Sequence, residues 1–238
     1  MPVASSQLSL VYYDVPKVAC TSLKTWFWEL EHGQAFKGDR LRNKVLNRLG
    51  MTPKHYGDIH RQDLTRTRSF KTAPKPPADY ATLVVVRDPI RRLASAWKDK
   101  VNAESFKRQK NALYDLENEG LVPNPDFETF IEHFDEYRML TRATRIHTNS
   151  LAWHLGSDIG FYDHVFSLEA LDELIAFLSG KLDKEVSLPR QNTSNSNRSA
   201  IKLSSAQVDK ILEITRPDYQ WLGSLYSQQD SLEQLLGK

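Results

Sequence analysis

The sequence predicts an α/β fold in which a parallel β-sheet is flanked by helices. Strand-like apolar runs alternate with amphipathic helical patterns along the chain, and the strand-like runs are continuously apolar, as in a sheet that is buried on both faces. At 238 residues the chain has the length of one domain with a sizeable core. We therefore expect residues 1–238 to form a single domain.

The first strand–helix unit lies near the N-terminus. The run Leu8–Val15 is short, apolar and aromatic, and Pro16 ends it, as is typical of a buried strand. Helical spacing of apolar residues then predicts a helix over Thr21–Glu31. A second helix is predicted over Gly38–Leu49, and a short strand over Tyr56–Ile59.

The clearest unit follows a proline-rich connector. Leu83–Val86 is a continuous run of apolar residues that predicts a core strand. Asp88 is a good N-cap residue and Pro89 suits the first turn of the helix that follows. Polar residues over 105–120 show no strong periodicity, so we expect a solvent-facing excursion there.

The C-terminal half contains further helices and one more strand. Helices are predicted over 126–137 and 141–155. The stretch "FYDHVFSLEALDELIAFLSG" predicts a strand, then a helix that Ser167 caps and Gly180 ends. Ser204 and Gln207 have the spacing of a capping box at the start of the last helix.

Composition excludes several classes of protein. No stretch of 18 or more apolar residues is present, so no membrane-spanning helix is predicted, and the first residues lack the features of a secretory signal. The one cysteine, Cys20, excludes an intramolecular disulfide and a cysteine-based zinc site. These features favour a cytoplasmic protein, and no metal site is expected.

The segment Lys37–Lys75 is strongly basic. It holds eleven Lys and Arg residues against three Asp and Glu, whereas the chain as a whole has a net charge of +2. Such a segment is either a solvated face or a surface that attracts an anionic ligand.

Two strand–helix junctions have the residues of an anion site. At the first, Lys17 precedes a helix whose first turn carries Thr21 and Ser22, and free backbone N–H groups at a helix N-terminus bind tetrahedral anions. The glycines of the Walker pattern are absent. At the second, Arg87 ends a strand and Ser95 lies in the next helix, so the two could hold a phosphate. Alternatively, Arg87 pairs with Asp88 or another carboxylate.

Together the two junctions resemble a known family. "VPKVACTSLK" is similar to the 5′-phosphosulfate loop of sulfotransferases, and "VVVRDPIRRLASAW" is similar to their 3′-phosphate motif R-x-P-x-x-R-x-x-S-x-[WY]. The resemblance is closest to the carbohydrate sulfotransferases, which include chondroitin, dermatan and uronyl 2-O enzymes. It implies the sulfotransferase fold, a P-loop-like parallel sheet flanked by helices.

The resemblance also implies the reaction. A sulfuryl group would move in line from 3′-phosphoadenosine-5′-phosphosulfate (PAPS) to an acceptor hydroxyl, for which the resemblance implies a carbohydrate, and leave adenosine 3′,5′-bisphosphate (PAP). No metal is needed for such a transfer, because positioned cations stabilise the charge that develops.

Donor-binding roles follow residue by residue from the resemblance. Lys17 would contact the 5′-phosphosulfate, and the backbone amides of Ala19, Cys20, Thr21 and Ser22, with the two hydroxyls, would cradle it. The thiol of Cys20 is interpreted as a packing group and not as a nucleophile.

The 3′-phosphate site is the second half of the donor site that the resemblance implies. Arg87 and Ser95 would bind the 3′-phosphate, and Arg198 in the polar loop before the last helix would be a second clamp.

An acceptor hydroxyl requires a general base. Related 2-O sulfotransferases carry histidines before the R-x-P strand, so His60 is the first candidate and His55 the second. His147 and His154 could instead line the acceptor pocket, and Glu31 is a more distant option.

Two other functions fit the sequence less well. A nucleotide kinase or NTPase would be expected to carry a Walker loop and a metal-binding carboxylate after a strand. A non-catalytic module could use the basic segment to hold a polyanion, but aromatic residues are sparse there and no nucleic-acid-binding motif is present.

Overall fold

The protein is described by a computed structural model. It describes residues 2–37, 58–62, 70, 75–109, 111–188 and 201–237. The chain divides into two compact units. One consists of Met1–Val86 with Gly160–Ser194, and the other of Arg87–Ile159 with Asn195–Lys238.

Three parts of the sequence prediction lie outside the described residues. They are the predicted helix over 38–49, the second candidate base His55, and the proposed clamp Arg198. Most of the basic segment lies outside them as well.

The first unit is built on a β-sheet. Its strands are β1 (Val3–Ser5), β2 (Leu10–Tyr13), β3 (Ala81–Val86) and β4 (His164–Ser167). They are adjacent in chain order; β1 is antiparallel to β2, and the other two pairs are parallel. The carboxyl ends of β2, β3 and β4 therefore point towards the same edge of the sheet, which confirms the predicted α/β fold and adds one antiparallel edge strand to it.

Burial explains why the central strands read as continuous apolar runs. Every residue of β2 is buried, and so are Leu83–Val86 in β3. Helix α1 (Cys20–His32) packs its apolar face on the sheet, where the ring of Phe27 stacks on that of Tyr12 at a centroid distance of 5.4 Å. Gly33 ends α1 in the left-handed conformation that favours glycine.

The second unit is helical. Its helices are α2 (Pro89–Lys100), α3 (Ala103–Phe106), α4 (Ala112–Asn118), α5 (Phe127–Glu132), α6 (Phe134–Leu140), α7 (Arg142–Thr148), α8 (Leu151–Leu155), α10 (Ser205–Leu222) and α11 (Gln228–Leu236). Helix α9 (Leu171–Leu182) belongs to the first unit. The core is rich in aromatic residues, with Phe106, Phe127, Phe130 and Tyr137 almost completely buried. No helix among the described residues is long and apolar enough to cross a membrane.

Two helix starts are confirmed in detail. The carboxylate of Asp88 accepts a hydrogen bond from the backbone N–H of Arg91, and Pro89 occupies the first turn of α2. At α10, Ser204 and Gln207 form the predicted capping box, in which each side chain bonds the other residue's backbone N–H.

The segment 105–120, predicted as a mobile or solvent-facing excursion, is mostly exposed as expected, but the prediction missed two short helices. Residues there form the end of α3 and the whole of α4, which bury Phe106, Ala112 and Leu116 in the core of the second unit. The helices are too short, and their exposed faces too polar, for the periodicity to be visible in the sequence.

Other boundaries differ from the prediction. Ser167 caps a single 3₁₀ turn that precedes α9, and α9 continues past Gly180 to Leu182, because Asp183 adopts the left-handed conformation that ends it. Ile59 does not extend a strand but begins a 3₁₀ turn, Ile59–Arg61. The helices predicted over 126–137 and 141–155 are each divided in two.

Candidate functional site

The loop between β2 and α1 has an uncommon backbone conformation. Lys17 (φ 73°) and Ala19 (φ 59°) are both left-handed, and Val18 between them is not. Left-handed residues other than glycine cost of order 1 kcal/mol or more and concentrate at functional sites. Successive amide groups in such alternating conformations form concave sites that bind anions.

The N-terminus of α1 follows this loop directly. Its N-cap residue is Ala19, which has no side-chain acceptor, and its first turn contains no acidic residue. The partial positive charge of the helix terminus is therefore not neutralised by a capping oxygen or a carboxylate of that turn. Lys17 and Thr21 are half-buried, whereas Ser22 is buried. The arrangement fits the phosphosulfate group that the resemblance of the two motifs implies.

A buried ion pair connects the two ends of this loop. The ammonium group of Lys24 lies 2.7 Å from a carboxylate oxygen of Asp14, and both side chains are almost completely buried. Burial opposes ionisation of Asp14, but the attraction and the hydrogen bond of Lys24 help to hold its pKa below the usual range. Lys24 thus compensates a negative charge that would otherwise repel an anion at the loop. The sequence did not show this pair.

Cys20 has the properties of a packing residue. Burial, and secondly the charge of Asp14, raise the pKa of its thiol. The thiol is therefore protonated at neutral pH, and a protonated thiol is a poor nucleophile. This supports the interpretation of the thiol as a packing group and not as a nucleophile.

His60 lies beside the same loop. Its Nε2 atom is 3.1 Å from the Thr21 hydroxyl oxygen, and its backbone N–H donates to the Asp58 carboxylate at 3.0 Å. His60 is half-buried. The structure thus brings the first candidate base next to a residue of the predicted phosphosulfate loop.

Glu31 is engaged elsewhere. Its carboxylate accepts hydrogen bonds from the hydroxyls of Ser5 and Ser6 and from the backbone N–H of Gln7. Partial burial raises its pKa, but these hydrogen bonds outweigh that effect and lower it. Glu31 therefore ties the end of α1 to the turn after β1, and its contacts with the described residues are structural ones.

Arg87 and Ser95 belong to the second unit, and both are half-buried. The suggested pairing of Arg87 with Asp88 is not supported. Both oxygens of the Asp88 carboxylate accept other hydrogen bonds, from the Arg91 backbone N–H at 2.8 Å and from the hydroxyls of Tyr219 and Ser231.

Arg92 is the other arginine of the R-x-P-x-x-R motif, and the sequence analysis gave it no role. It is buried, and its guanidinium donates to the backbone carbonyl of Asn149 at 2.6 Å and to the Asp218 carboxylate at 3.1 Å, with a longer bond to the carbonyl of His147. Its position one turn after Asp88 on an otherwise apolar helix face is the one signal that could have indicated a buried arginine.

His147 and His154 also have structural partners. Nδ1 of His147 lies 2.7 Å from the carbonyl oxygen of Ala143, and Nε2 of His154 lies 2.9 Å from that of Ile146. A carbonyl oxygen only accepts, so each of these ring nitrogens carries a hydrogen. These contacts stabilise the α7–α8 segment and give no support to a place in an acceptor pocket.

Comparison with known proteins supports a family assignment. The model of the Sulfotransferase family matches residues 3–227, which include both strand–helix junctions. No curated protein and no solved structure matches the chain significantly. The family match covers nearly the whole chain and agrees with the fold, a mostly parallel four-stranded sheet flanked by helices. The chain therefore belongs to the sulfotransferase family.

Proposed function

We propose that this protein transfers a sulfuryl group from PAPS to the hydroxyl of a carbohydrate acceptor. Membership of the family establishes sulfuryl transfer in general. The observation that carries the donor assignment is the first junction, where the left-handed residues Lys17 and Ala19 lead into a helix N-terminus that has no acidic residue in its first turn.

The donor would be held at both of its ends. Lys17, the amides of residues 19–22 and the hydroxyls of Thr21 and Ser22 would hold the phosphosulfate end. Arg87 and Ser95, with Arg198, would hold the 3′-phosphate. When bound, PAPS supplies a sulfuryl group activated by a phosphate leaving group.

The chemical roles follow from charge and position. Lys17 and the N-terminus of α1 stabilise negative charge on the leaving phosphate, and they do so without reorganisation because the backbone already holds them in place. His60 accepts the proton of the acceptor hydroxyl, which makes that oxygen a better nucleophile. This role is supported by the contact of 3.1 Å between Nε2 of His60 and the Thr21 hydroxyl.

The acceptor class rests on two observations. The motifs resemble those of carbohydrate sulfotransferases, and the basic segment Lys37–Lys75 would attract a polyanionic chain such as a uronic-acid glycan. A carbohydrate acceptor is therefore the first class to test, with anionic glycans before neutral ones.

The experiment is a transfer assay with radiolabelled PAPS and a panel of acceptors that includes anionic glycans, neutral glycans and phenols. Lys17→Ala should remain folded and lose most of kcat on the preferred acceptor. The matched control is Lys107→Ala, because Lys107 is an exposed lysine whose described ion pair is a surface contact with Glu104. Normal turnover by folded Lys17→Ala would contradict the proposed donor site. Transfer to phenols alone would contradict the proposed carbohydrate acceptor.

A further inference from the structure

The contact between Thr21 and His60 has two chemical forms. A hydroxyl has one hydrogen, so it donates to one partner at a time but can accept from others. With Oγ1 of Thr21 3.1 Å from Nε2 of His60, either the hydroxyl donates to a bare Nε2, or Nε2 carries a hydrogen and donates to the hydroxyl.

Local backbone structure holds both residues in place. Thr21 lies in the first turn of α1, which the bond from the Leu23 N–H to the Ala19 carbonyl closes. His60 lies in the 3₁₀ turn that Asp58 caps, with Asp58 accepting the His60 backbone N–H. The contact can therefore persist while the direction of its hydrogen changes.

An anion at the loop selects one of the two forms. The oxygens of an ionised phosphate or sulfate only accept hydrogen bonds, so the Thr21 hydroxyl must donate to the anion that it contacts. Only the lone pairs of the hydroxyl oxygen then point towards His60. A bare Nε2 would direct its own lone pair at them, and two acceptors without a hydrogen between them repel each other.

We propose that Thr21 is a positioning residue that couples the donor site to His60. Donor binding turns the Thr21 hydroxyl towards the anion and thereby selects the form of His60 that carries a hydrogen on Nε2. In the neutral ring the lone pair then lies on Nδ1, so Thr21 sets the tautomer of His60. This inference rests on the proposed function, since it requires the anion to occupy the loop.

The test is ¹⁵N NMR of the histidine rings, at a pH well above the ordinary histidine pKa of about 6.5, with and without saturating PAP. Loss of signals in His60→Gln assigns His60. The protein supplies two internal references, because His154 holds a hydrogen on Nε2 and His147 holds one on Nδ1. PAP binding itself is followed by calorimetry on the same samples.

We expect PAP to shift the His60 ring towards the Nε2–H pattern of His154 in the wild type and in Thr21→Ser, which keeps the hydroxyl. The shift should be lost in Thr21→Val, whose affinity for PAP should also fall about tenfold through the lost hydrogen bond. PAP binding without a change in the wild-type His60 ring would overturn this inference alone. The same shift in Thr21→Val would also overturn it, whereas absence of PAP binding by the wild type would overturn the proposed function as well.

Discussion

Lys24 reaches back from α1 to Asp14, the first residue after β2, and the two charged groups meet at 2.7 Å with almost no exposure to solvent. The pair brackets the loop that contains Lys17 and Ala19. The pair should therefore affect two properties: the stability of the first unit and the electrostatic potential at the loop.

Replacing Lys24 tests both effects. Lys24→Met leaves the Asp14 carboxylate buried without its partner, and we expect the free energy of unfolding to fall by about 3–5 kcal/mol. PAP affinity should fall too, because the uncompensated carboxylate repels the anion. Urea unfolding and calorimetry measure the two quantities.

The double variant Asp14→Asn/Lys24→Met is the control for this prediction. It removes the uncompensated charge, so it should recover part of the lost stability and most of the PAP affinity. A double variant no better than Lys24→Met in both measurements would show that the pair does not act through charge.

Asp14 also makes stability depend on pH. Its pKa in the folded protein is held below the unfolded value of about 3.9, so its contribution is present above that pH and is lost as the pH falls through the folded pKa. The difference in unfolding free energy between the wild type and Asp14→Asn should therefore shrink below about pH 4. A difference that stays constant between neutral pH and pH 3 would contradict the assignment of the shift.

Two buried tyrosines provide a matched comparison of hydroxyl groups. The Tyr12 hydroxyl is buried and has no hydrogen-bond partner within the described part of the chain, whereas the Tyr137 hydroxyl donates to the Val122 carbonyl at 2.9 Å and accepts from its N–H at 3.2 Å. Tyr12→Phe should leave stability unchanged or raise it, because a buried hydroxyl without a partner is unfavourable. Tyr137→Phe should lower it by about 1–2 kcal/mol. Denaturant unfolding of both variants measures these changes in stability. A larger loss in Tyr12→Phe than in Tyr137→Phe would show that the hydroxyl environments are wrongly assigned.

Replacing each of the two arginines of the R-x-P-x-x-R motif should change a different property of the protein. Arg92→Ala should lower the free energy of unfolding by about 3–5 kcal/mol, because it leaves the Asp218 carboxylate and two carbonyls without their buried donor. Arg87→Ala should weaken PAP binding about 10–100-fold, the worth of a charge-assisted hydrogen bond. Unchanged PAP affinity in Arg87→Ala would refute its role at the 3′-phosphate.

Local chemistry made much of this fold predictable. The strand Leu83–Val86, the cap Asp88 and the first-turn Pro89 each follow from a rule that acts within a few residues. The capping box at Ser204 is of the same kind. Paired motifs at strand ends also predict donor-binding roles for Lys17 and Arg87.

Features that depend on distant partners were not predictable in this way. The pairing of Lys24 with Asp14 requires the loop between them to fold back, and the role of Arg92 depends on Asp218, more than a hundred residues later. Short helices such as Ala112–Asn118 are stabilised mainly by packing on the core, so their own sequence carries only a weak helical pattern.

The central claim is that the protein binds a nucleotide through its 3′-phosphate. The most direct test is calorimetry that compares PAP with AMP, which lacks that phosphate, and with ATP-Mg. The account predicts that PAP binds about 10–100-fold more tightly than AMP, since the 3′-phosphate adds charge-assisted hydrogen bonds. Equal affinity for PAP and AMP, preference for ATP-Mg, or no binding of any nucleotide would contradict it.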